Sequence, residues 1–264
     1  MQHTSSDKTR FSFLLAGLHH LRPPGILILW PPFILGWGQL TPGAQLPWLG
    51  TLLLFQAWLF FSNDAADWEI DPPHPRRLTR EQVSCAARYS LILFILAFIC
   101  TALLLHSPPG IALCLAGAIL LNQSYNAPPF CLNHRGGGAL PQALGIGIVL
   151  PCWGAIAGDA SLPSATLLLQ GVFAGAALAW GSALGDWPDD IGSKKTAATE
   201  RGPRVTGILL LLAVAGATSN IYAVPALAIL PACLWSHRSK GARRLAEVTG
   251  CLTPLLWVTV RLSG

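Results

Sequence analysis

Apolar residues in this sequence are grouped into long runs, and short polar segments separate the runs. Most runs hold about 16 to 22 residues, and roughly 20 helical residues are needed to cross the hydrocarbon core of a bilayer. The pattern therefore predicts nine membrane-spanning helices. We expect them at residues 23–40, 47–63, 85–105, 110–126, 139–158, 164–185, 204–219, 221–236 and 246–262. The seventh and eighth spans are short and share the turn at 219–222, so a re-entrant pair is the alternative there.

The composition of the chain agrees with a membrane protein. Of the 264 residues, 52% are hydrophobic and only 11% are charged, whereas soluble domains carry roughly 25% charged residues. We expect residues 1–20 to form a cytoplasmic tail without a cleavable secretory signal, and residues 21–264 to form one transmembrane domain. The seven cysteines form no CxxC pair and the histidines show no metal-ligand spacing, so neither a disulfide framework nor a zinc site is predicted.

Basic residues distinguish the two sides of the membrane. With nine spans, sixteen of the seventeen lysines and arginines fall on one face, and only Arg261 lies on the other. Cytoplasmic loops of membrane proteins are enriched in Lys and Arg, so we expect the N-terminus and the basic loops in the cytoplasm and the C-terminus outside. The net charge of +5 is then a topology signal and predicts no nucleic-acid partner. We expect an integral protein of a bacterial inner membrane.

Acidic residues form two clusters at the cytoplasmic ends of spans. The first cluster reads NDAADWEID from Asn63 to Asp71, directly after the second span. On a helix, Asp64, Asp67 and Asp71 share one stripe, and Asn63 lies one turn before Asp67 at its edge. Glu69 falls on a different side of that helix. The first cluster can therefore direct three carboxylates and one amide towards a common site.

The second cluster reads DWPDD from Asp186 to Asp190 and follows the sixth span. Asp186 and Asp190 are four residues apart, Asp189 adjoins Asp190, and Pro188 bends or restarts the helix. Because both clusters lie on the same face, their carboxylates would repel one another without a cation between them. Magnesium commonly bridges one or two carboxylates to substrate phosphates, so it suits such a site.

Basic residues near both clusters suit the remaining phosphate oxygens. They are Arg76, Arg77, Arg80, Lys194 and Lys195. The combined pattern predicts a magnesium-dependent site for a diphosphate at the membrane surface. The alternative is that each cluster is a solvated helix end balanced by its neighbouring basic residues. That alternative accounts for one cluster alone, but less well for two clusters on one face at corresponding positions in the two halves of the chain.

Four stretches, in order along the chain, resemble the motifs of one known family. NDAADWEID resembles the first aspartate-rich motif of the UbiA superfamily of intramembrane prenyltransferases, and DWPDD with the following KKT resembles its second. The stretch LRPPGILILWPP at 21–32 is similar to the opening helix of the family. YNAPPFCLNHRGGG at 125–138 is similar to the loop of its quinone- and chlorophyll-type branches. The resemblance covers the chain from about residue 20 to the end.

The resemblance implies a fold and a set of functional positions. The fold is an all-α, polytopic membrane protein: a nine-helix transmembrane bundle around a central cavity, with a cytoplasmic cap in which two Mg²⁺ ions hold the diphosphate of an isoprenyl donor. The metal-binding positions are Asn63, Asp64, Asp67, Asp71, Asp186, Asp189 and Asp190. Candidate substrate-binding positions are Arg22, Arg76, Arg77, Asn122 and Arg135, and the catalytic positions are Tyr125 with Lys194 or Lys195.

The sequence departs from the family pattern in two places. If the second motif is aligned through Asp186 and Asp189, its last carboxylate would fall at position 193, where this chain has Ser193. Asp189 and Asp190 are therefore alternative metal ligands. The stretch at 72–79, directly after the first motif, is shorter than expected for family members.

The implied activity is transfer of an isoprenyl group from an isoprenyl diphosphate to an aromatic or lipid-soluble acceptor within the membrane. Products of this kind belong to quinone, chlorophyll or related biosynthesis, and the loop that begins at Arg135 leans towards naphthoate- or chlorophyll-type acceptors. Within the same fold, a terpene cyclase that uses no acceptor and an enzyme with a sugar phosphate acceptor are alternatives. A transporter is a further alternative, but the carboxylates lie at span ends rather than in mid-membrane.

Overall fold

The computed structural model describes residues 26–37, 42–69, 78–135, 138–158 and 161–185. All regular elements in these ranges are helical, and no strand occurs among them. The helices are α1 (Ile26–Gly36), α2 (Pro42–Ala66), α3 (Arg80–Leu104), α4 (Ile111–Asn126), α5 (Ala139–Leu144), α6 (Leu150–Ala157) and α7 (Ala165–Gly185). A 3₁₀ helix (Leu132–Arg135) precedes α5, and one π-helical turn (Gly145–Val149) joins α5 to α6. The all-helical fold predicted from the sequence is confirmed for the described ranges.

The first six predicted spans correspond to described helices. α5, the π turn and α6 together form the fifth span, which was predicted at 139–158. The structure differs from the prediction mainly at helix starts: α2 begins at Pro42 instead of 47, and α3 begins at Arg80 instead of 85. The last three predicted spans, between 204 and 262, lie outside the described residues and stay predictions.

A capping box explains the early start of α3. The Thr79 side chain accepts a hydrogen bond from the Gln82 backbone N–H at 3.3 Å, and the Gln82 side chain accepts one from the Thr79 N–H at 2.9 Å. A T-x-x-Q pattern of this kind satisfies two backbone donors that the first helical turn leaves open. α3 therefore begins at this polar cap, more than one turn before the apolar run that was predicted as the span.

Two of the described helical segments are long and apolar enough to cross a membrane, Arg80–Leu104 and Leu140–Ala157. On α3 the buried positions are Val83, Ser90, Phe94, Phe98 and Thr101. The other side of the helix exposes large apolar side chains, namely Tyr89, Ile92, Leu93, Leu96, Ile99, Leu103 and Leu104. An apolar outer surface of this kind is what contact with lipid tails requires.

The described residues divide into two compact units. In the first unit, α2 packs against α3 through aromatic rings. Trp48 and Phe98 meet edge to face with ring centroids 5.4 Å apart, and Trp58 stacks on Phe94 at 5.7 Å. Aromatic pairs in such geometries contribute roughly 0.5–1.5 kcal/mol beyond the area they bury. The aromatic residues thus hold α2 in register beside α3.

A buried polar contact adds to this packing. The hydroxyl groups of Thr51 on α2 and Thr101 on α3 lie 3.1 Å apart and share a hydrogen bond. The Thr51 hydroxyl also lies 2.9 Å from the Pro47 carbonyl oxygen of its own helix. Hydrogen bonds between threonines are a common contact between membrane helices because the alternative is an unsatisfied hydroxyl in hydrocarbon.

The second unit contains α1 from Leu27 onward and α4 to α7. Its helices approach closely at glycines. A Cβ atom added at Gly154 of α6 would collide with the carbonyl oxygen of Phe33 in α1, and one added at Gly147 would collide with the backbone at Gly171 and Val172 in α7. Small residues permit backbone-to-backbone contact between membrane helices, so these positions fix how α1, α6 and α7 pack.

Candidate active site

The first acidic motif begins on the last turn of helix α2. The Asp67 backbone N–H donates to the Asn63 carbonyl oxygen at 2.9 Å, so helical spacing continues through Asp67. The side chains of Asp64 and Asp67 are buried, at 9% and 2% exposure. A buried carboxylate is tolerated only when hydrogen bonds, a positive charge or a metal ion compensates for lost water. Two buried carboxylates one turn apart at a helix end can therefore provide oxygen ligands for a cation.

Glu69 behaves differently from these aspartates, as the helical spacing predicts. Its carboxylate accepts a hydrogen bond from the Arg80 guanidinium at 2.6 Å, and both side chains are more than half exposed. The sequence predicts Arg80 as a phosphate contact, whereas the structure pairs it with Glu69. Exposed ion pairs of this kind contribute little to stability, roughly 0–1 kcal/mol. The Glu69 carboxylate is thus exposed, and it is separate from the buried carboxylates of Asp64 and Asp67.

Trp68 ties the end of α2 to the start of α3. Its indole N–H donates to the Leu78 carbonyl oxygen at 3.2 Å. The Trp68 ring also packs with Phe61 and Ala65 against a small buried cluster formed by Leu78 and Val83. This contact immediately follows Asp67 in the chain. The position of the last turn of α2, and with it the position of Asp67, is therefore braced from the neighbouring helix.

In the second unit, Tyr125 lies on the last turn of α4 and contacts α5. The side-chain amide nitrogen of Gln142 donates a hydrogen bond to the Tyr125 hydroxyl oxygen at 2.9 Å. Gly138, the last glycine of the motif loop, lies against the tyrosine ring. A Cβ atom there would come within 2.9 Å of the Tyr125 Cε2 atom and 3.3 Å of the Asn133 Cα atom. A side chain at position 138 would therefore have to displace the tyrosine ring or the loop.

Asn122 lies one turn before Tyr125 on α4 and is buried. Its side-chain oxygen accepts a hydrogen bond from the Asn126 amide nitrogen at 2.9 Å. Polar side chains therefore lie at the junction of α4 and α5, namely those of Asn122, Tyr125 and Gln142. Arg135 is the last residue of the 3₁₀ helix in the same loop. Whether Asn122 and Arg135 bind substrate stays a prediction.

Gln142 was not predicted from the sequence. Its only signal there is that it is an amide near the start of an apolar span, four residues after the glycine loop. Sequence spacing gives no indication that it reaches a tyrosine 17 residues earlier. The contact depends on how the loop reverses the chain between α4 and α5.

Several predicted site residues lie outside the described part of the chain. They are Arg22, Asp71, Arg76, Arg77, Asp186, Asp189, Asp190, Lys194 and Lys195. α7 ends at Gly185, directly before the second acidic motif in the sequence. Within the described ranges, no group of three or more His, Cys, Asp or Glu side chains is placed to hold a metal ion. The predicted magnesium site therefore rests here on Asn63, Asp64 and Asp67 alone.

The described residues thus form helices, two helical segments among them long and apolar enough to cross a membrane, with buried carboxylates at one helix end. The model of the UbiA prenyltransferase family matches residues 25–248, and the chain belongs to that family. The resemblance inferred from the four sequence motifs is thereby confirmed. The membrane-embedded character of the family agrees with the two long apolar segments described above. A comparison with curated protein sequences gave no match.

Solved structures of a UbiA homologue from Archaeoglobus fulgidus resemble this chain in fold. The structure bound to GPP and Mg²⁺ has a TM-score of 0.61 at 17% identity, and it covers 94% of this chain and 100% of that one. The structure bound to DMAPP and Mg²⁺ has a TM-score of 0.61 at 16% identity, with 94% and 99% coverage. A third, bound to Cd²⁺, has a TM-score of 0.56 at 16% identity, with 94% and 100% coverage. At these identities the likeness concerns the fold.

Proposed function

We propose that this protein transfers an isoprenyl group from an isoprenyl diphosphate to an aromatic or lipid-soluble acceptor within the membrane, in a magnesium-dependent reaction. The observation that carries this proposal is the pair of buried carboxylates at the C-terminal end of α2, Asp64 on its last turn and Asp67 directly after it. They lie inside the stretch that resembles the first aspartate-rich motif of the family. The archaeal homologue of similar fold binds GPP or DMAPP together with Mg²⁺, which supports the same donor and metal class here.

The residues at the end of α2 fit magnesium by the chemistry of their donor atoms. Carboxylate and amide oxygens are hard ligands, and magnesium is bound through one or two carboxylates plus substrate phosphates. Asn63, Asp64 and Asp67, with Asp71, would hold one ion. Asp186, with Asp189 or Asp190, would hold a second. Magnesium, when bound, would neutralise charge on the diphosphate oxygens.

The basic residues of the chain would interact with the diphosphate directly. Arg22, Arg76, Arg77 and Lys194 or Lys195 would bind diphosphate oxygens and stabilise the negative charge that grows as the leaving group departs. The bond between the allylic carbon and the diphosphate oxygen breaks, and its electron pair leaves with the diphosphate. The acceptor then supplies the electron pair for the new bond to the allylic carbon and loses a proton.

Residues of α4 and of the loop after it would act on the reacting carbon and on polar groups of the substrates. The ring of Tyr125 can face the cation-like allylic carbon, since aromatic faces attract positive charge. Asn122 and Arg135 would bind polar groups of the substrates. The apolar walls of the spans would exclude water, so that the allylic carbon meets the acceptor instead of a hydroxide.

The arrangement in the membrane is part of the same proposal. We place nine spans around a central cavity, with the two acidic motifs in a cytoplasmic cap and the C-terminus outside, because sixteen of the seventeen basic residues then lie on one face. Residues 1–20 would form a cytoplasmic tail, and residues 21–264 one transmembrane domain. The basic side would face the cytoplasm of a bacterial inner membrane.

The test of this proposal identifies the reaction product. Purified protein in detergent or nanodiscs is incubated with Mg²⁺ and labelled isoprenyl diphosphates of several lengths, with and without aromatic acceptors, and the products are identified by mass. Prenylated acceptor, formed only when acceptor is present, is the expected result. A cyclic hydrocarbon or an alcohol formed without acceptor would instead support a terpene cyclase. Absence of diphosphate release with every donor would overturn both.

A further inference from the structure

Two cysteines lie on neighbouring helices of the second unit, α4 and α6. Cys114 lies near the start of α4 and is buried, and Cys152 lies on α6 and is half-buried. Both are free thiols, and the two groups interact electrostatically. The scattered positions of the seven cysteines gave no indication of this pair in the sequence.

Glycine positions define how α4 aligns with α6. A Cβ atom added at Gly110, directly before α4, would lie 3.8 Å from the Ile156 Cδ1 atom. One added at Gly117 would lie 3.2 Å from the Cγ2 atom of Val149, the last residue of the π turn before α6. Gly117 follows Gly110 by seven residues, and Val149 precedes Ile156 by seven residues. The two helices therefore run antiparallel in a defined register.

The two cysteines occupy matching positions in this register. Each lies four residues inward from the first of these pairs, Cys114 on α4 and Cys152 on α6. Residues three, four and seven apart share one face of a helix, so both thiols lie on the contact face. The next step along α4 continues the pattern, because a Cβ atom added at Gly145 would lie 3.9 Å from the Leu121 Cδ1 atom. The register thus places the thiols opposite each other.

Close packing is what a disulfide between two helices requires. The Cα atoms of bonded cysteines are usually about 4.4–6.8 Å apart, whereas the axes of packed helices are usually about 8–10 Å apart. Only residues that face each other directly across a close contact reach the shorter distance. Gly117, one turn after Cys114, marks such a contact. A disulfide between Cys114 and Cys152 therefore needs no large movement of either helix.

The thiol pair lies near one end of the two helices. At a rise of 1.5 Å per residue, Cys114 is about 5 Å from the start of α4, and Cys152 is about 8 Å from the end of α6. On the side assignment proposed above, this end faces the outer compartment. Disulfides form and persist in oxidising compartments such as the bacterial periplasm. The position of the pair thus suits oxidation from the outer side.

We propose that Cys114 and Cys152 are an oxidisable thiol pair whose disulfide bonds α4 to α6, with a small disulfide compound as the oxidant. The half-buried Cys152 reacts first: its sulfur bonds to one sulfur of the oxidant, and the other sulfur leaves as a thiol with the Cys152 proton. The buried Cys114 then attacks the Cys152 sulfur, and the second half of the oxidant leaves as a thiol with the Cys114 proton. The oxidant thereby gains the two electrons and two protons that the protein loses. No isoprenyl substrate takes part, so the inference does not depend on the proposed reaction.

The test uses the full-length protein in nanodiscs and dithiodipyridine, an apolar disulfide, as the oxidant. Reduced protein is oxidised, remaining thiols are alkylated, and the peptides are identified by mass after digestion. The expected product is one pair of peptides joined through Cys114 and Cys152, formed with release of two thiopyridone molecules for each bond. Recovery of both cysteines unlinked, as pyridyl adducts or alkylated thiols, would overturn the inference, as would their bonding mainly to other cysteines.

A shifted cysteine is the matched control. Leu113→Cys combined with Cys114→Ala moves the thiol by one residue, to a position that is 77% exposed. One residue corresponds to about 100° around the helix, so the thiol leaves the contact face. This variant should give a pyridyl adduct at position 113 and no bond to Cys152. An equal yield of the bond from the shifted thiol would show that the register does not select the pair, which contradicts the inference.

Thermal unfolding gives a second measurement. The bond closes the chain between positions 114 and 152 and so restricts the unfolded state. Oxidised wild-type protein should melt about 4 °C or more above the reduced protein, and dithiothreitol should reverse the shift. Cys152→Ala should show no such shift. A linked protein that melts no higher than the reduced one would show that the bond forms only by distorting the helix contact, which contradicts the inference. Neither measurement uses turnover, so a failure of the proposed function leaves both results unchanged.

Discussion

The indole of Trp68 donates a hydrogen bond to the Leu78 carbonyl oxygen at 3.2 Å, one residue after the buried carboxylate of Asp67. The same ring packs against the buried cluster of Leu78 and Val83 at the start of α3. The helix end that carries the first acidic motif is thereby attached to the next helix. A site that must hold charged oxygens in fixed positions benefits from such support.

Removing the Trp68 hydrogen bond should lower stability. Trp68→Phe keeps an aromatic ring but leaves the Leu78 carbonyl without this donor, which costs about 1 kcal/mol. In a protein of this size that corresponds to a decrease of roughly 2–4 °C in the apparent melting temperature. Thermal unfolding of the detergent-solubilised protein measures the change.

Trp37→Phe is the control for that substitution. The Trp37 indole nitrogen is buried and has no hydrogen-bond partner among the residues that the structure describes. The control therefore loses ring volume but no hydrogen bond. A melting temperature of Trp68→Phe equal to that of the wild-type protein would show that the Trp68 hydrogen bond contributes nothing measurable.

The two kinds of carboxylate on this stretch should differ in their effect on activity. Asp67→Asn removes a charge from a side chain that is 2% exposed. We expect diphosphate release to fall at least about 100-fold, the effect typical of losing one group that stabilises charge in the transition state. Glu69→Gln makes the same chemical change in an exposed ion pair with Arg80 and should keep near-wild-type rates. Rates of diphosphate release, with folding checked by gel filtration, measure both. A near-wild-type rate in Asp67→Asn would remove Asp67 from the proposed metal site.

Gly154 should tolerate no side chain. A Cβ atom there would collide with the Phe33 carbonyl oxygen, so Gly154→Ala should destabilise the packing of α1 on α6 by about 1–3 kcal/mol. Gly50→Ala is the matched control, because nothing lies within 4 Å of a Cβ atom at that position. Thermal stability and the yield of monodisperse protein measure both variants. A Gly154→Ala protein as stable as the Gly50→Ala protein would contradict the close packing.

The glycine beside the tyrosine ring should be needed for turnover. Gly138→Ala would place a methyl group 2.9 Å from the Tyr125 ring and so displace it. We expect kcat to fall about 10-fold or more, since small misplacements of a positioned group are costly in catalysis. Gly43→Ala, at a position with nothing within 4 Å, should leave kcat unchanged. Unaltered kcat in Gly138→Ala would show that the ring position does not matter.

Sequence patterns were sufficient to predict features that depend on a single helix. Apolar runs located the described helices, and the 3.6-residue repeat separated Glu69 from Asp64 and Asp67 before any contact was known. The buried state of the two aspartates and the exposed ion pair of Glu69 agree with that separation. The order of the four motifs along the chain was sufficient to identify the family.

Contacts between separate elements could not be predicted in this way. The hydrogen bond from Gln142 to Tyr125 joins residues 17 apart across a turn, and no periodicity relates them. The π turn at Gly145–Val149 also has no sequence signature beyond two glycines. Arg80 was predicted as a phosphate contact because it is basic and near the first acidic cluster. Its ion pair with Glu69 was not predicted, since that contact depends on how the ends of α2 and α3 meet.

Metal removal tests the central claim most directly. Wild-type protein is treated with EDTA, exchanged into metal-free buffer and supplied with labelled isoprenyl diphosphate and acceptor, and prenylated product is quantified by mass before and after Mg²⁺ is added back. The account predicts no product without metal and full recovery with Mg²⁺, because the buried carboxylates need a cation to accept the diphosphate. Product formation that is unchanged in metal-free buffer would contradict it.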